Sequence, residues 1–129
     1  MNKTVWLAGI LSIGDVLETG VGLGLLVEPS ALASLLLRSP LSGPGVVFAR
    51  VAGGGLLSLG IACWCARETP LAPAGLGVSW AFLAYNLVAC VTLARARPSL
   101  ANGGLPALGA SALHGVLGAA LLGALLGRG

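Results

Sequence analysis

Four long apolar runs constrain this 129-residue chain more than any other feature. They cover approximately residues 5–27, 46–66, 71–94 and 105–127. At a rise of about 1.5 Å per residue, each run could cross a hydrocarbon core of about 30 Å as a helix. All seven prolines fall between the runs or near their ends, and the interior of a helix disfavours proline. The pattern predicts four transmembrane helices in a single domain, residues 1–129.

The composition supports a membrane protein. Charged residues make up 9% of the chain and hydrophobic residues 57%, whereas an average soluble domain has about 25% charged residues. The seven basic residues lie mostly at the ends of the apolar runs. That placement is typical of anchoring at a membrane interface and differs from the clustered bases of a nucleic-acid-binding surface. We expect a multi-pass protein of the cell membrane, with the lipid bilayer and no nucleic acid as partner.

A short additional helix is expected between the first two runs. Pro29 directly follows the first run, and proline suits the first turn of a helix. The leucine-rich residues 29–38 end in Arg38, which favours a segment lying along the membrane surface. Residues 39–45 form a loop by composition. The predicted fold is therefore all-α: an integral membrane four-helix bundle with a short interfacial helix between spans one and two.

Small residues indicate where the helices approach one another. Gly14 and Gly22 flank Glu18 at four-residue spacing in the first run, and the second run is rich in glycine. Small residues repeated at this spacing allow two membrane helices to pack closely. We therefore expect close helix contacts on these faces.

Two carboxylates inside the first run point to a buried polar cluster. A charged residue in the middle of a bilayer costs about 2.5–3.5 kcal/mol, so such residues normally face the bundle interior and find partners there. Counting along antiparallel helices places one polar residue of each span roughly 7–15 Å from the same interface. The predicted cluster consists of Asp15, Glu18, Arg50, Tyr85, Asn86 and His114, with an ion pair between Glu18 and Arg50.

This cluster has two interpretations. It could be a structural network that fixes the pairing of the helices, or a polar pocket that receives a proton, an ion or the head of an amphiphile. In the second case we expect a protein that binds a small amphiphile or a partner helix. The alternatives are a proton-coupled small-molecule transporter and an intramembrane enzyme that uses His114 and Asp15 as acid and base.

No sequence pattern indicates a cofactor or a known enzyme class. The three cysteines do not have the spacing of a metal site. Nucleophile motifs, phosphate-binding loops and dinucleotide fingerprints are not found. We therefore expect no cofactor and no metal, and do not favour an enzyme. A second copy of the chain or another membrane protein is the expected protein partner.

Several short motifs resemble small uncharacterised four-span integral membrane proteins of bacteria. The first span ends in Leu-Val-Glu-Pro at residues 26–29, and the second carries an arginine followed by small residues at 49–53. Tyr85-Asn86 in the third span and His114 in the fourth complete the likeness. The resemblance implies the four-span fold and carries no activity.

Overall fold

The computed structural model describes residues 2–100 and 104–127, and this part of the chain is helical without a β-strand. The five α-helices are α1 (Lys3–Val27), α2 (Pro29–Leu37), α3 (Gly43–Ala66), α4 (Pro73–Ala96) and α5 (Leu105–Leu126), and a 3₁₀ turn (Arg97–Ser99) follows α4. Four of the helices are long and apolar enough to cross a membrane. The all-α class and the four spans are therefore confirmed.

Proline and capping groups account for the helix ends. Each helix from α2 to α5 has a proline in its first turn. Backbone N–H groups there have no acceptor within the helix, so the N–H that proline lacks costs no hydrogen bond. Pro44 is one of these prolines, so α3 starts at Gly43, three residues before the predicted position. The α1 helix starts at Lys3 because the side chain of Asn2 accepts a hydrogen bond from the backbone N–H of Thr4, at 3.0 Å.

The α1 and α3 helices form a closely packed pair. A Cβ atom at Gly22 would lie 2.8 Å from the carbonyl oxygen of Gly53, and a Cβ atom at Gly53 would lie 2.8 Å from the carbonyl oxygen of Gly22. Two turns further along α3, Gly60 packs against the backbone and hydroxyl of Thr19 on α1. Only glycine allows the two backbones to come this close. We call the contact of Gly22, Gly53 and Gly60 with the opposite helix the glycine seam.

The α4 and α5 helices form the second pair. The hydroxyl of Ser111 donates a hydrogen bond to the carbonyl oxygen of Cys90, at 2.8 Å. Gly115, one turn later on α5, faces the Cys90 sulfur. A hydrogen bond to a backbone carbonyl satisfies the serine inside an apolar environment, where water cannot. The small residues of α5 thus let it lie directly on α4.

The two pairs pack tightly together only in the half of the bundle that contains the chain ends. The buried apolar side chains come from the start of α1, the end of α3, the first half of α4 and the end of α5; they are Leu7, Ile10, Leu11, Cys63, Ala66, Phe82, Leu83, Leu117, Leu121 and Leu125. Lys3 closes this end by donating a hydrogen bond to the carbonyl oxygen of Leu125, at 2.9 Å. A cation at this position also suits the negative end of the α5 dipole.

The outer surface of the bundle is apolar. Large hydrophobic side chains such as Val16, Phe48, Val88 and Val116 are mostly exposed. A soluble protein rarely exposes so much contiguous apolar area, whereas lipid tails would cover it without cost. The surface is that of a small membrane protein.

Candidate functional site: a cavity between the two helix pairs

A cavity of about 650 Å³ separates the two helix pairs in the half of the bundle opposite the chain ends. Apolar side chains, mainly leucines, make up nearly all of its wall, and every α-helix contributes to it. The α2 helix lies against α1, α3 and α5 and adds Leu32, Ala33 and Leu36. Pockets of about 300–1,000 Å³ with an apolar wall and a few polar groups are typical small-molecule sites.

Three polar side chains form one end of the cavity, which we call the polar floor: Glu18 of α1, Tyr85 of α4 and His114 of α5. Glu18 is 2% exposed, and its carboxyl group lies beside the Tyr85 hydroxyl. The ring of His114 meets the Tyr85 ring edge-on, with 5.4 Å between the ring centroids. The aromatic residue therefore links the carboxyl group to the imidazole across the two helix pairs.

A chain of hydrogen bonds fixes the orientation of His114. Its Nδ1 atom lies 2.9 Å from the Oδ1 atom of Asn86. The amide nitrogen of Asn86, which is fully buried, donates to the carbonyl oxygen of Phe82 at 2.8 Å. Because the amide oxygen can only accept, Nδ1 of the neutral ring must be the donor. The Nε2 atom then carries no hydrogen and has no protein partner among the described residues.

Phe82, which packs against Gly14, supports the polar floor on the side of the buried core. A Cβ atom at Gly14 would lie 2.5 Å from the Phe82 ring, so only glycine lets this ring fill the space under the floor. The Phe82 ring in turn stacks on Tyr85, with centroids 6.4 Å apart. The buried apolar core therefore begins directly next to the polar floor.

The floor lies deep within the spans. Glu18 is nine residues before the end of α1 and His114 nine residues after the start of α5, which corresponds to about 14 Å along either helix. This distance is close to half of a hydrocarbon core of about 30 Å. The cavity therefore runs from the membrane interior toward the end covered by α2.

The predicted ion pair between Glu18 and Arg50 is wrong. Arg50 is exposed on α3, and the ion pair found among the described residues joins Arg67 to Glu68. The depth of the two residues explains the difference, because Gly60 packs against Thr19, next to Glu18, and Arg50 lies ten residues before Gly60, about 15 Å away along α3. Arg50 lies one turn before Gly53, which packs near the end of α1, and its side chain is exposed there. An arginine near a helix start can extend its charge toward the membrane surface.

The structure brings four of the six predicted cluster residues together, namely Glu18, Tyr85, Asn86 and His114. Asp15 lies one turn before Glu18, where it accepts a hydrogen bond from the Thr19 hydroxyl at 3.4 Å, and it does not line the cavity. The described residues show no contact between Asp15 and His114, so the geometry does not support an acid–base pair of these two. No group of three or more potential metal ligands occurs among them either.

Sequence reasoning missed the apolar wall. The short helix between spans one and two was predicted, but its leucines were not assigned to the wall of a cavity, which they line. Thr92, which also lines the cavity, was not singled out, although it follows Tyr85 by two helical turns and so shares its face. That spacing was the available signal.

Comparisons with protein-family models, with curated proteins and with solved structures give no match to this chain. The resemblance to small bacterial four-span proteins stays a prediction.

Proposed function

We propose that this chain is a multi-pass protein of the cell membrane that binds a small amphiphile inside the bundle. The polar part of the amphiphile would contact Glu18, Tyr85 and His114, and its apolar part would fill the space between the helix pairs. The observation that carries the proposal is the cavity itself, with an apolar wall and a polar floor. Lipid would surround the bundle, and a second copy or another membrane protein is the predicted protein partner.

The cavity favours this proposal over the structural network and over a partner helix. In a purely structural network the polar groups would fill one another's hydrogen bonds inside a packed core. Here Asn86 meets that description, but Glu18, Tyr85 and His114 line open space. A helix with side chains is about 10–12 Å wide, so a partner helix would have to force the two pairs apart. A small amphiphile needs no such rearrangement.

The experiment fills the cavity with a side chain. Ala89 lines the cavity on α4, whereas Ala84 on the same helix is exposed and does not line it. Ala89→Phe and Ala84→Phe therefore add the same ring inside and outside the site. Tyr85 is the single tyrosine of the chain, so biosynthetic 3-fluorotyrosine gives one ¹⁹F resonance at the floor.

Titration of nanodisc-embedded protein with decanol should shift this resonance in the unmodified protein and in Ala84→Phe. The shift should be lost in Ala89→Phe. An equal shift in all three proteins would mean that decanol acts through the bilayer, and the binding proposal would be abandoned.

A proton-coupled transporter of the same amphiphile is the second candidate. Glu18 favours it, since an intramembrane acid with no basic partner among the described residues is a common element of proton relays. Transport would also need the cavity to open toward the chain ends, where the described residues form the solid core. Uptake of ethidium into proteoliposomes, driven by a pH gradient and abolished by Glu18→Gln, would place transport first.

A further inference from the structure

The polar floor presents hydrogen-bond acceptors to the cavity. Tyr85 has a single hydroxyl hydrogen, which it can donate to the neighbouring Glu18 carboxyl group when that group is ionised. His114 uses its only ring hydrogen toward Asn86, so Nε2 is an acceptor. The groups left for an occupant are carboxylate oxygens, the phenol oxygen and an imidazole nitrogen. With Glu18 ionised, none of them can donate.

The charge of the floor has the same preference. Glu18 is the charged residue of the wall, and neither lysine nor arginine is among the described residues that line the cavity. Asp15, one turn away on α1, adds a second negative group behind it. The nearest basic residue along α3, Arg50, is exposed near the start of that helix. An ionised Glu18 would repel an anionic head and attract a cationic one, in surroundings where charges interact more strongly than in water.

From this arrangement we infer that the occupant is a cationic amphiphile, with a protonated nitrogen that donates hydrogen bonds to the polar floor. The inference rests on the proposed function and names the ligand class of the same site. An ammonium group has three donors and no acceptor, which matches the three acceptors of the floor.

The depth of the floor makes membrane phospholipids poor occupants. A phospholipid keeps its head group at the surface and would direct its acyl chains at Glu18. The cavity requires the reverse order, with the polar group about 14 Å below the helix ends and the apolar part toward α2. A compact molecule with one cationic end and an apolar body satisfies both conditions.

The test compares three probes with the same chain and different heads: decylammonium, decanol and decanoate. Binding is measured to protein in nanodiscs of zwitterionic lipid through the single ¹⁹F-tyrosine resonance, with Ala89→Phe protein as the reference for partition into lipid. We expect decylammonium to bind about 10- to 100-fold more tightly than decanol, the ratio typical of a hydrogen bond gained by a charged group. Decanoate should bind more weakly than decanol.

Two neutralising variants assign this preference to Glu18. Glu18→Gln keeps the shape of the side chain and should bring decylammonium to within about threefold of decanol. Asp15→Asn removes the same charge one turn away, outside the cavity wall, and should keep most of the preference. The single histidine, labelled with ¹⁵N, reports whether the floor is intact in each variant, since its Nδ1–H signal depends on the bond to Asn86.

The outcomes separate the inference from the proposed function. If all three probes bound equally and saturably, and bound less to Ala89→Phe, the cationic ligand class would be wrong. The proposed binding function would still stand. Binding of no probe above the Ala89→Phe reference would remove both. A preference for decylammonium that survives Glu18→Gln with an intact histidine signal would also overturn the inference, because the floor would not be its origin.

Discussion

Replacing Gly53 by alanine should loosen the contact between α1 and α3, and the same change at Gly54 should not. A Cβ atom at Gly53 would lie 2.8 Å from the carbonyl oxygen of Gly22 and 2.9 Å from the Cβ atom of Leu25. A Cβ atom at Gly54 would meet no heavy atom within 4 Å. The two variants therefore add one methyl group to neighbouring positions of one helix, inside and outside the glycine seam.

The size of the effect follows from the distances. An ordinary contact starts at 3.4 Å, so the helices must separate by roughly 0.6 Å, and a gap of about 0.5–1 Å loses a quarter to a half of the dispersion attraction across it. Overpacking a fitted contact costs about 1–3 kcal/mol. The gain in helix propensity from glycine to alanine is common to both variants and cancels in the comparison. We therefore expect Gly53→Ala to be less stable than Gly54→Ala by about 1–3 kcal/mol.

Reversible unfolding in mixed micelles with a rising fraction of SDS measures this difference, followed by energy transfer between dyes on α1 and α3. The native helices largely persist in SDS, so the transition reports their separation. If Gly53→Ala proved as stable as Gly54→Ala, the seam could not be as close as described, and the explanation for the separation of Arg50 from Glu18 would be lost with it.

Three further predictions concern the remaining polar groups and the spans. Arg50→Leu should change the free energy of unfolding by less than about 0.5 kcal/mol, because an exposed residue with no ion pair leaves no buried charge behind; a loss of several kcal/mol in the micelle assay would restore the rejected ion pair. Asn86→Leu should cost about 1–3 kcal/mol, because it removes the acceptor of His114, and an unchanged ¹⁵N-histidine spectrum would contradict the assigned hydrogen bond. In a cysteine-free background, an impermeant thiol reagent should label cysteines at Ser42 and Thr69 from opposite sides of the membrane, and labelling of both from one side would exclude the four-span topology.

Properties local to the chain could be predicted from the sequence. The length of an apolar run and the place of a proline depend on neighbouring residues alone, which is why α2 and α5 fall within a residue of their predicted ends. The common depth of Glu18 and His114 also follows from counting residues along each helix.

The rotation of each helix about its axis could not be predicted in this way. It depends on which face packs best against a neighbour, and α3 offers glycines on more than one face. The glycine seam selects Gly53 and Gly60, and it also fixes the shift of α3 along α1, which keeps Arg50 about 15 Å from the level of Glu18. The cavity was unpredictable for a related reason, since an unfilled volume is a property of two helix pairs together and of no single pattern.

The leucine wall of the cavity has a consequence for selectivity. A ligand that dissolves in the bilayer has already left water, and lipid tails are as apolar as leucine. Each additional methylene would favour partition into lipid by about 0.8 kcal/mol and gain almost nothing more on moving from lipid into the cavity. A longer chain would thus raise the concentration of the ligand in the lipid around the protein. It would not tighten the binding of the ligand on transfer from lipid into the cavity. Discrimination among hydrophobic molecules would fall almost entirely to Glu18, Tyr85 and His114.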